Sequence, residues 1–331
     1  MSLSEMMSAG DEIPPTQRRR RRWLACLPLV VLLAVAAVVV VLLVGKGKNL
    51  LPNPVSEGCQ VDTSDGLVQL SLDQMRNAST IAAVATARNL PERAVTISLA
   101  TAMQESRLTN LTGGDRDSIG LFQQRPSQGW GRPEQIADPV YATNKFLDRL
   151  IEIPGYAQLP LTQAAQDVQH SAFPDAYAQH EADAITLASA LSGRIQAAMT
   201  CSVNGVGAAS TGTGTSALAA ELKKDFGKVL STSALGAAPT SGGSPTAGPK
   251  QQQLAVSLRS GSLQTQRGWA VAQWSVAHAK DLHITAVEYA GKRWTSADSQ
   301  KGWVGTASPS AGAVSSSDAS TAGLRLTVAS A

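Results

Sequence analysis

Ala102-Met103-Gln104-Glu105-Ser106-Arg107, followed after a Gly/Asp-rich turn by Ser118-Ile119-Gly120-Leu121-Phe122-Gln123-Gln124, is the stretch whose reading decides the fold. Pro91 suits the first turn of a helix, with Glu92 favourable at its positive end. Val95, Leu99, Ala102, Met103 and Ser106 then recur on one face at helical spacing. Glu105 therefore falls in the last turn. There the negative end of the helix dipole disfavours a carboxylate, and apolar neighbours such as Met103, Leu121 and Phe122 would desolvate it. Both effects favour a carboxyl group that stays protonated near neutral pH, as a general acid must. Position alone is a weak signal, because a glutamate at a helix end is usually solvated surface.

The segment 59–201 around this stretch is rich in Ala, Leu and Gln. Helices are expected over 65–84, running into 86–89, and over 91–106. Others follow from Asp138-Pro139, with Tyr141, Phe146, Leu147 and Leu150 inward, then over 161–171 and 176–199. Strand-like alternation is scarce, so this domain is expected to be mainly helical.

Toward the N-terminus, the arginines Arg18 to Arg22 outweigh the formal net charge of +3, leaving the remainder near neutral. No basic face suggests a nucleic-acid partner. The apolar run from Trp23 to Val44 carries no charge and is long enough to cross a bilayer. The arginines against it place residues 1–22 in the cytoplasm, make 23–44 a transmembrane anchor, and put everything after Gly45 outside the plasma membrane. Val44-Gly45-Lys46-Gly47-Lys48 offers no convincing cleavage site, so the anchor is expected to be retained. Residues 45–58, with Pro52 and Pro54, read as a stalk. A single span builds no transport pathway. Cys26 lies within the span as a small packing residue. Cys59 and Cys201 lie on the outer side, where disulfides persist, and a bridge between them is expected rather than two free thiols. It would close a loop of about 140 residues, worth roughly 4–5 kcal/mol in the chain-entropy model.

Beyond Cys201, residues 202–250 shift to Gly, Ser, Thr, Ala and Pro and read as a flexible linker broken by a possible helix at 217–230. Residues 251–331 read as a small α/β module: a helix over 267–280, strands over 284–289 and 293–295 about the turn Ala290-Gly291-Lys292, and a closing strand over 324–328. Its tryptophans, Trp269, Trp274, Trp294 and Trp303, suit a small core better than a sugar-stacking surface.

Residues 94–200 resemble the lytic transglycosylase and goose-type lysozyme-like superfamily. The resemblance rests on Gln104-Glu105-Ser106, the segment Ser118 to Gln123, Gln128-Gly129-Trp130-Gly131, Ile136-Ala137-Asp138-Pro139 and Phe146-Leu147. The stretch Gln166-Asp167-Val168-Gln169-His170-Ser171-Ala172-Phe173-Pro174-Asp175-Ala176-Tyr177 looks like the variant found in actinobacterial wall-associated proteins. The resemblance implies a lysozyme-like fold acting on peptidoglycan glycan strands, with Glu105 as general acid/base and Ser106 supporting it. Gly120, Leu121, Phe122 and Gln123 would line the floor of the sugar groove, with Gln123 bonding an acetamido group or a hydroxyl. One glutamate suffices when the substrate's own N-acetyl group assists, giving an anhydro-sugar. Asp115 and Asp117 either orient a water for hydrolysis or simply shape the turn beside Gly113-Gly114.

The family's late Ala-Tyr-Asn-Ala-Gly run, whose tyrosine contacts the acid, corresponds here to Ala164-Ala165-Gln166-Asp167-Val168-Gln169. Gln169 and Tyr177 are the candidates to replace that tyrosine. The run Gly268-Trp269-Ala270-Val271-Ala272, with Val287 to Trp294, resembles a module that accompanies actinobacterial wall hydrolases. Relatives end it in a histidine-bearing strand. Ala322-Gly323-Leu324-Arg325-Leu326-Thr327-Val328 has no histidine, which leaves an accessory role. His170, His180, His278 and His283 lack metal-ligand spacing, so no metal and no cofactor is expected. The expectation is thus a mainly α lysozyme-like domain after one transmembrane helix, with a small α/β C-terminal module on a flexible linker. Its function is either peptidoglycan glycan-strand cleavage, as a lytic transglycosylase or muramidase, or wall binding as a scaffold that has lost turnover. A membrane regulator unrelated to glycan is the third class.

Overall fold

The computed structural model describes residues 56–207, 214–237, 250–306 and 323–330. The expected basic tail, the anchor 23–44 and most of the stalk lie outside the described residues. No helix among the described residues is long and apolar enough to cross a membrane.

The described chain opens with a hairpin, β1 (Gly58–Thr63) and β2 (Gly66–Leu70), in antiparallel register with Thr63 opposite Gly66. Residues 66–70, expected to be helical, are therefore strand. Val68 points inward and Leu67 outward, as the pleat requires. The helix begins only after Ser71. That hydroxyl accepts from the Gln74 amide at 3.2 Å, and the Gln74 side chain accepts from the Ser71 amide at 3.0 Å. This capping box starts α1 (Leu72–Ala87), which is buried almost continuously from Met75 to Ala85. Then come α2 (Glu92–Ser106), α3 (Pro133–Ile136), α4 (Pro139–Glu152) and α5 (Leu161–Gln169). Asp138 caps α4 through the Val140 amide at 2.9 Å.

The long helix expected over 176–199 is divided. A 3₁₀ segment, Pro174–His180, leads into α6 (Glu181–Leu191), and the chain then extends as β3 (Met199–Ser202). β3 pairs with β1 in the order β2-β1-β3, with Cys201 directly opposite Cys59. Those two residues form a disulfide. Strand pairing and a covalent bond thus close the two ends of the helical body.

Residues 202–250, expected to be linker, hold α7 (Thr215–Phe226) and β4 (Leu230–Ala237). β5 (Lys250–Leu258), α8 (Gln264–Ala277), β6 (Ile284–Tyr289), β7 (Lys292–Thr295), β8 (Val304–Gly305) and β9 (Leu324–Ser330) follow. The strands form an antiparallel sheet in the order β4-β5-β9-β6-β7-β8. Where the sequence suggests a module set apart, the described residues from Ser56 onward pack as one compact unit. α8 explains why. It is buried on every side from Gly268 to Ala277, against the sheet on one side and against α1 and α6 on the other. Gly193 permits this approach, since a Cβ there would lie 1.9 Å from the Gln266 carbonyl oxygen. Trp269, Trp274 and Trp294 are all buried in this core. Gln273 accepts from the Ala198 and Met199 amides at 3.1 and 2.9 Å and donates to the Ala190 carbonyl at 2.6 Å. A buried Gln with both ends of its amide satisfied fixes the register between α8 and the helical body. Among the described residues, 47% helical and 21% strand, sheet thus frames both ends of the helices.

A second buried polar group lies where α1, α7 and α8 meet. Asp225 Oδ2 accepts from Thr80 Oγ1 at 2.9 Å and from Trp274 Nε1 at 2.8 Å. Burial pushes its carboxyl up to about 6, against those two hydrogen bonds. His278 stacks on Trp274 at 3.9 Å, and burial lowers it to about 4. An acid raised on folding stabilises the fold below its unfolded value of 3.8 and loses that contribution as pH rises through about 6. A lowered histidine does the reverse: its contribution is full above 6.5 and is lost as pH falls through about 4. Between these limits the two slopes oppose. Asp225→Asn removes the first, so its stability relative to the parent should improve by up to about 3 kcal/mol between pH 4 and pH 6. Denaturant unfolding of the full chain across that range checks this; a pH-independent difference would show that Asp225 is not the titrating group.

Candidate active site

α2 ends at Ser106 because Arg107 turns into the left-handed region at φ 54°. The Arg107 amide bonds to the Met103 carbonyl and the Leu108 amide to the Ala102 carbonyl, which closes the last turn. α1 holds this end from below: Gln74 Nε2 donates to the Arg107 carbonyl at 2.9 Å and Asn77 Nδ2 to the Leu108 carbonyl at 2.8 Å. Ser106, buried, shares its hydroxyl proton between the Ala102 carbonyl at 3.0 Å and the Leu121 carbonyl at 2.7 Å. It therefore supports Glu105 by tying the helix end to the Gly-Leu-Phe-Gln loop.

That loop is a tight reversal. Ile119 and Gln124 exchange amide-to-carbonyl bonds at 2.9 and 3.0 Å. Gly120 sits between them at φ 80°, and a Cβ there would come within 2.9 Å of the Ile136 carbonyl oxygen. Leu121 and Phe122, expected on the floor of a groove, are instead fully buried, with Phe122 stacked on Phe146 at 4.7 Å. Two adjacent apolar residues in a short loop lose more water by turning inward than by lining a wet surface. What the loop offers its surroundings is backbone. Gln123, at φ 46°, donates from Nε2 to its own loop's Gly120 carbonyl at 3.1 Å and packs against Gly114, so its amide is folded back in this conformation.

Two further elements reach the acid. Tyr177, wholly buried in the 3₁₀ segment, donates its hydroxyl to Glu105 Oε1 at 2.8 Å. Gln169, the last residue of α5, donates Nε2 to the Phe122 carbonyl at 2.8 Å and also hydrogen-bonds the Glu105 carboxyl. Its Oε1 is buried with no partner among the described residues. Tyr177 and Gln169 thus reach Glu105 from separate parts of the chain. Glu105 itself is half-buried. Burial raises its carboxyl above the ordinary range, while the bonds from Tyr177 and Gln169 pull the other way. Desolvation, not a neighbouring charge, is what raises this group. Tyr177 is in turn pushed well above its usual value by its own burial and by Glu105, so it remains a donor at any physiological pH.

The loop aspartates divide. Asp117 accepts from Arg125 Nε at 2.8 Å, the Ser127 amide at 2.8 Å and Ser127 Oγ at 3.0 Å, and these hold its carboxyl far below the carboxylate range. It staples the loop and stays ionised. Asp115 is exposed beside Arg116. Sequence reading passes over Gln104, whose Oε1 accepts from Gln179 Nε2 at 2.9 Å and lies 3.1 Å from His180 Nε2. Its place next to the acid is the only signal the sequence offers for it. His180 is lowered by burial.

Among the described residues no group of three or more His, Cys, Asp or Glu is arranged to hold a metal ion. A cavity of about 670 Å³ lies on the C-terminal sheet beside Arg293, Thr295 and Lys301, and one of about 80 Å³ beside Asn89 and Arg267. Neither is lined by Glu105. No protein-family model matches the chain, and no curated protein matches it in sequence.

Tyr177 bonds most strongly to the ionised carboxylate, so its loss should raise the Glu105 pKa further. In Tyr177→Phe, a carbon-13 NMR titration of the glutamate carboxyls should show the Glu105 midpoint displaced upward. A downward displacement would mean that Tyr177 does not donate to this group.

Proposed function

We propose that this protein is a membrane-anchored, extracytoplasmic enzyme that cleaves the glycan strands of peptidoglycan, with Glu105 as its single general acid/base. The observation that carries this reading is a half-buried glutamate at a helix end, raised by desolvation and held by hydrogen bonds from Tyr177 and Gln169. The Arg18–Arg22 run against the apolar stretch 23–44 supports the anchor, and the Cys59–Cys201 disulfide suits an oxidising compartment.

Neutral Glu105 would give its proton to the glycosidic oxygen as the bond to the anomeric carbon breaks. The acetamido oxygen of the same sugar closes on the electron-poor carbon. The Glu105 carboxylate, now held by Tyr177 and Gln169, then takes a proton from the sugar's own primary hydroxyl as it attacks, giving the anhydro product. Taking that proton from water instead gives hydrolysis. The second reading, a wall-binding scaffold without turnover, draws on the folded-back Gln123 amide.

Purified full-length chain in detergent, incubated with wall sacculi, should release anhydro-muropeptides. Glu105→Gln should slow release by at least about 100-fold while still sedimenting with sacculi. Equal release by both would remove Glu105 from the chemistry. Binding without release by either would favour the scaffold, and no binding at all the unrelated regulator.

A further inference from the structure

Phe173 is the most exposed large apolar side chain among the described residues, at 73% accessibility. Single exposed apolar residues are common and need no explanation by themselves. The placement of this one does. It lies between Gln169 and Tyr177, the two residues that hydrogen-bond Glu105. The chain on both sides of it is pinned. Gln166 Nε2 donates to the Ser171 carbonyl at 2.9 Å, the Phe173 amide to Ser171 Oγ at 3.2 Å, and the Ala176 amide to the Phe173 carbonyl at 3.2 Å. Ser171 also hydrogen-bonds the Tyr177 side chain. An aromatic ring is therefore held out in solvent on the short bridge that positions the acid, with its backbone fixed by the same residues.

We propose that Phe173 is a stacking platform for a pyranose ring of the glycan, forming the sugar subsite beside Glu105. The C–H face of an N-acetylated pyranose is apolar and slightly positive, which matches the negative face of a phenyl ring. A rigid, two-torsion aromatic presents that face at little entropic cost. Gln104, adjacent to Glu105 in the chain and bonded to Gln179 and His180, belongs to the kind of polar group that orients a sugar once its ring is stacked. The proposal rests on the reading of Glu105 as a glycan-cleaving acid, and it specifies which side chain outside the reacting centre grips the strand.

The test uses the full-length chain in detergent, carrying Glu105→Gln so that the probe stays intact, with a soluble N-acetylglucosamine hexamer as ligand followed by calorimetry. Phe173→Ala should weaken binding about tenfold, the scale of one lost aromatic stack. Phe173→Leu should lose most of the same affinity, and Phe173→Trp should bind at least as well as Phe173. On the active chain, Phe173→Ala should raise KM with little change in kcat. Hexamer affinity within twofold of the parent in Phe173→Ala, or full affinity in Phe173→Leu, would overturn the stacking role. So would a fall in kcat alone, which would mark Phe173 as merely holding Tyr177 in place. If the parent binds neither hexamer nor sacculi, the glycan reading itself fails and takes this inference with it; loss confined to the Phe173 comparisons leaves that reading standing.

Discussion

The end of α2 holds a carboxyl group half out of water, and much of the surrounding structure serves that constraint. Leaving a carboxyl without partners in such a place would cost several kcal/mol. Tyr177 supplies one donor and Gln169 another, each from a different element. The helix end cannot drift, because Gln74 and Asn77 take the carbonyls just past its last turn. Ser106 joins it to the neighbouring loop. Each bond is modest alone, but they share members and so stiffen one another.

The loop of Gly120 to Gln123 contributes through backbone more than through side chains. Its apolar pair anchors it in the core against Phe146, which frees the Leu121 and Phe122 carbonyls to take Ser106 and Gln169. Gly120 is required on steric grounds, since the Ile136 carbonyl occupies the space of a Cβ. A motif that reads as a lining of the site thus serves as its fixture. Asp117 plays a similar part farther along, ionised and enclosed by Arg125 and Ser127.

Some of this is legible in the sequence, for physical reasons that differ by element. α2 declares itself through Pro91, Glu92 and an apolar stripe, and α4 through the Asp138-Pro139 cap. The Cys59–Cys201 bridge follows from two thiols on the expected outer side. The hairpin before α1 is hidden, because adjacent Leu67 and Val68 blur the period of two and the helix start depends on a Ser71–Gln74 capping box. Tyr177 appears in the sequence only as a candidate; its role is set by a 3₁₀ turn whose geometry composition does not encode. α8 misleads most. Gly268, Ala272 and Ser275 fall opposite the tryptophan face and look outward, yet small residues are what close packing against a second surface requires.

The clasp of β1 and β3 bears on how the molecule carries force. Cys59 and Cys201 lie opposite one another with Cα atoms 3.9 Å apart, although 142 positions separate them in the chain. Next to them Glu57 accepts from the Asn204 amide at 2.8 Å and pairs with Lys280 just beyond α8. Tension applied at the Ser56 end therefore meets the disulfide and β3 before it meets α1. The helices that carry Glu105 lie inside the loop that the disulfide closes, so the covalent route from Ser56 to β3 does not run through them.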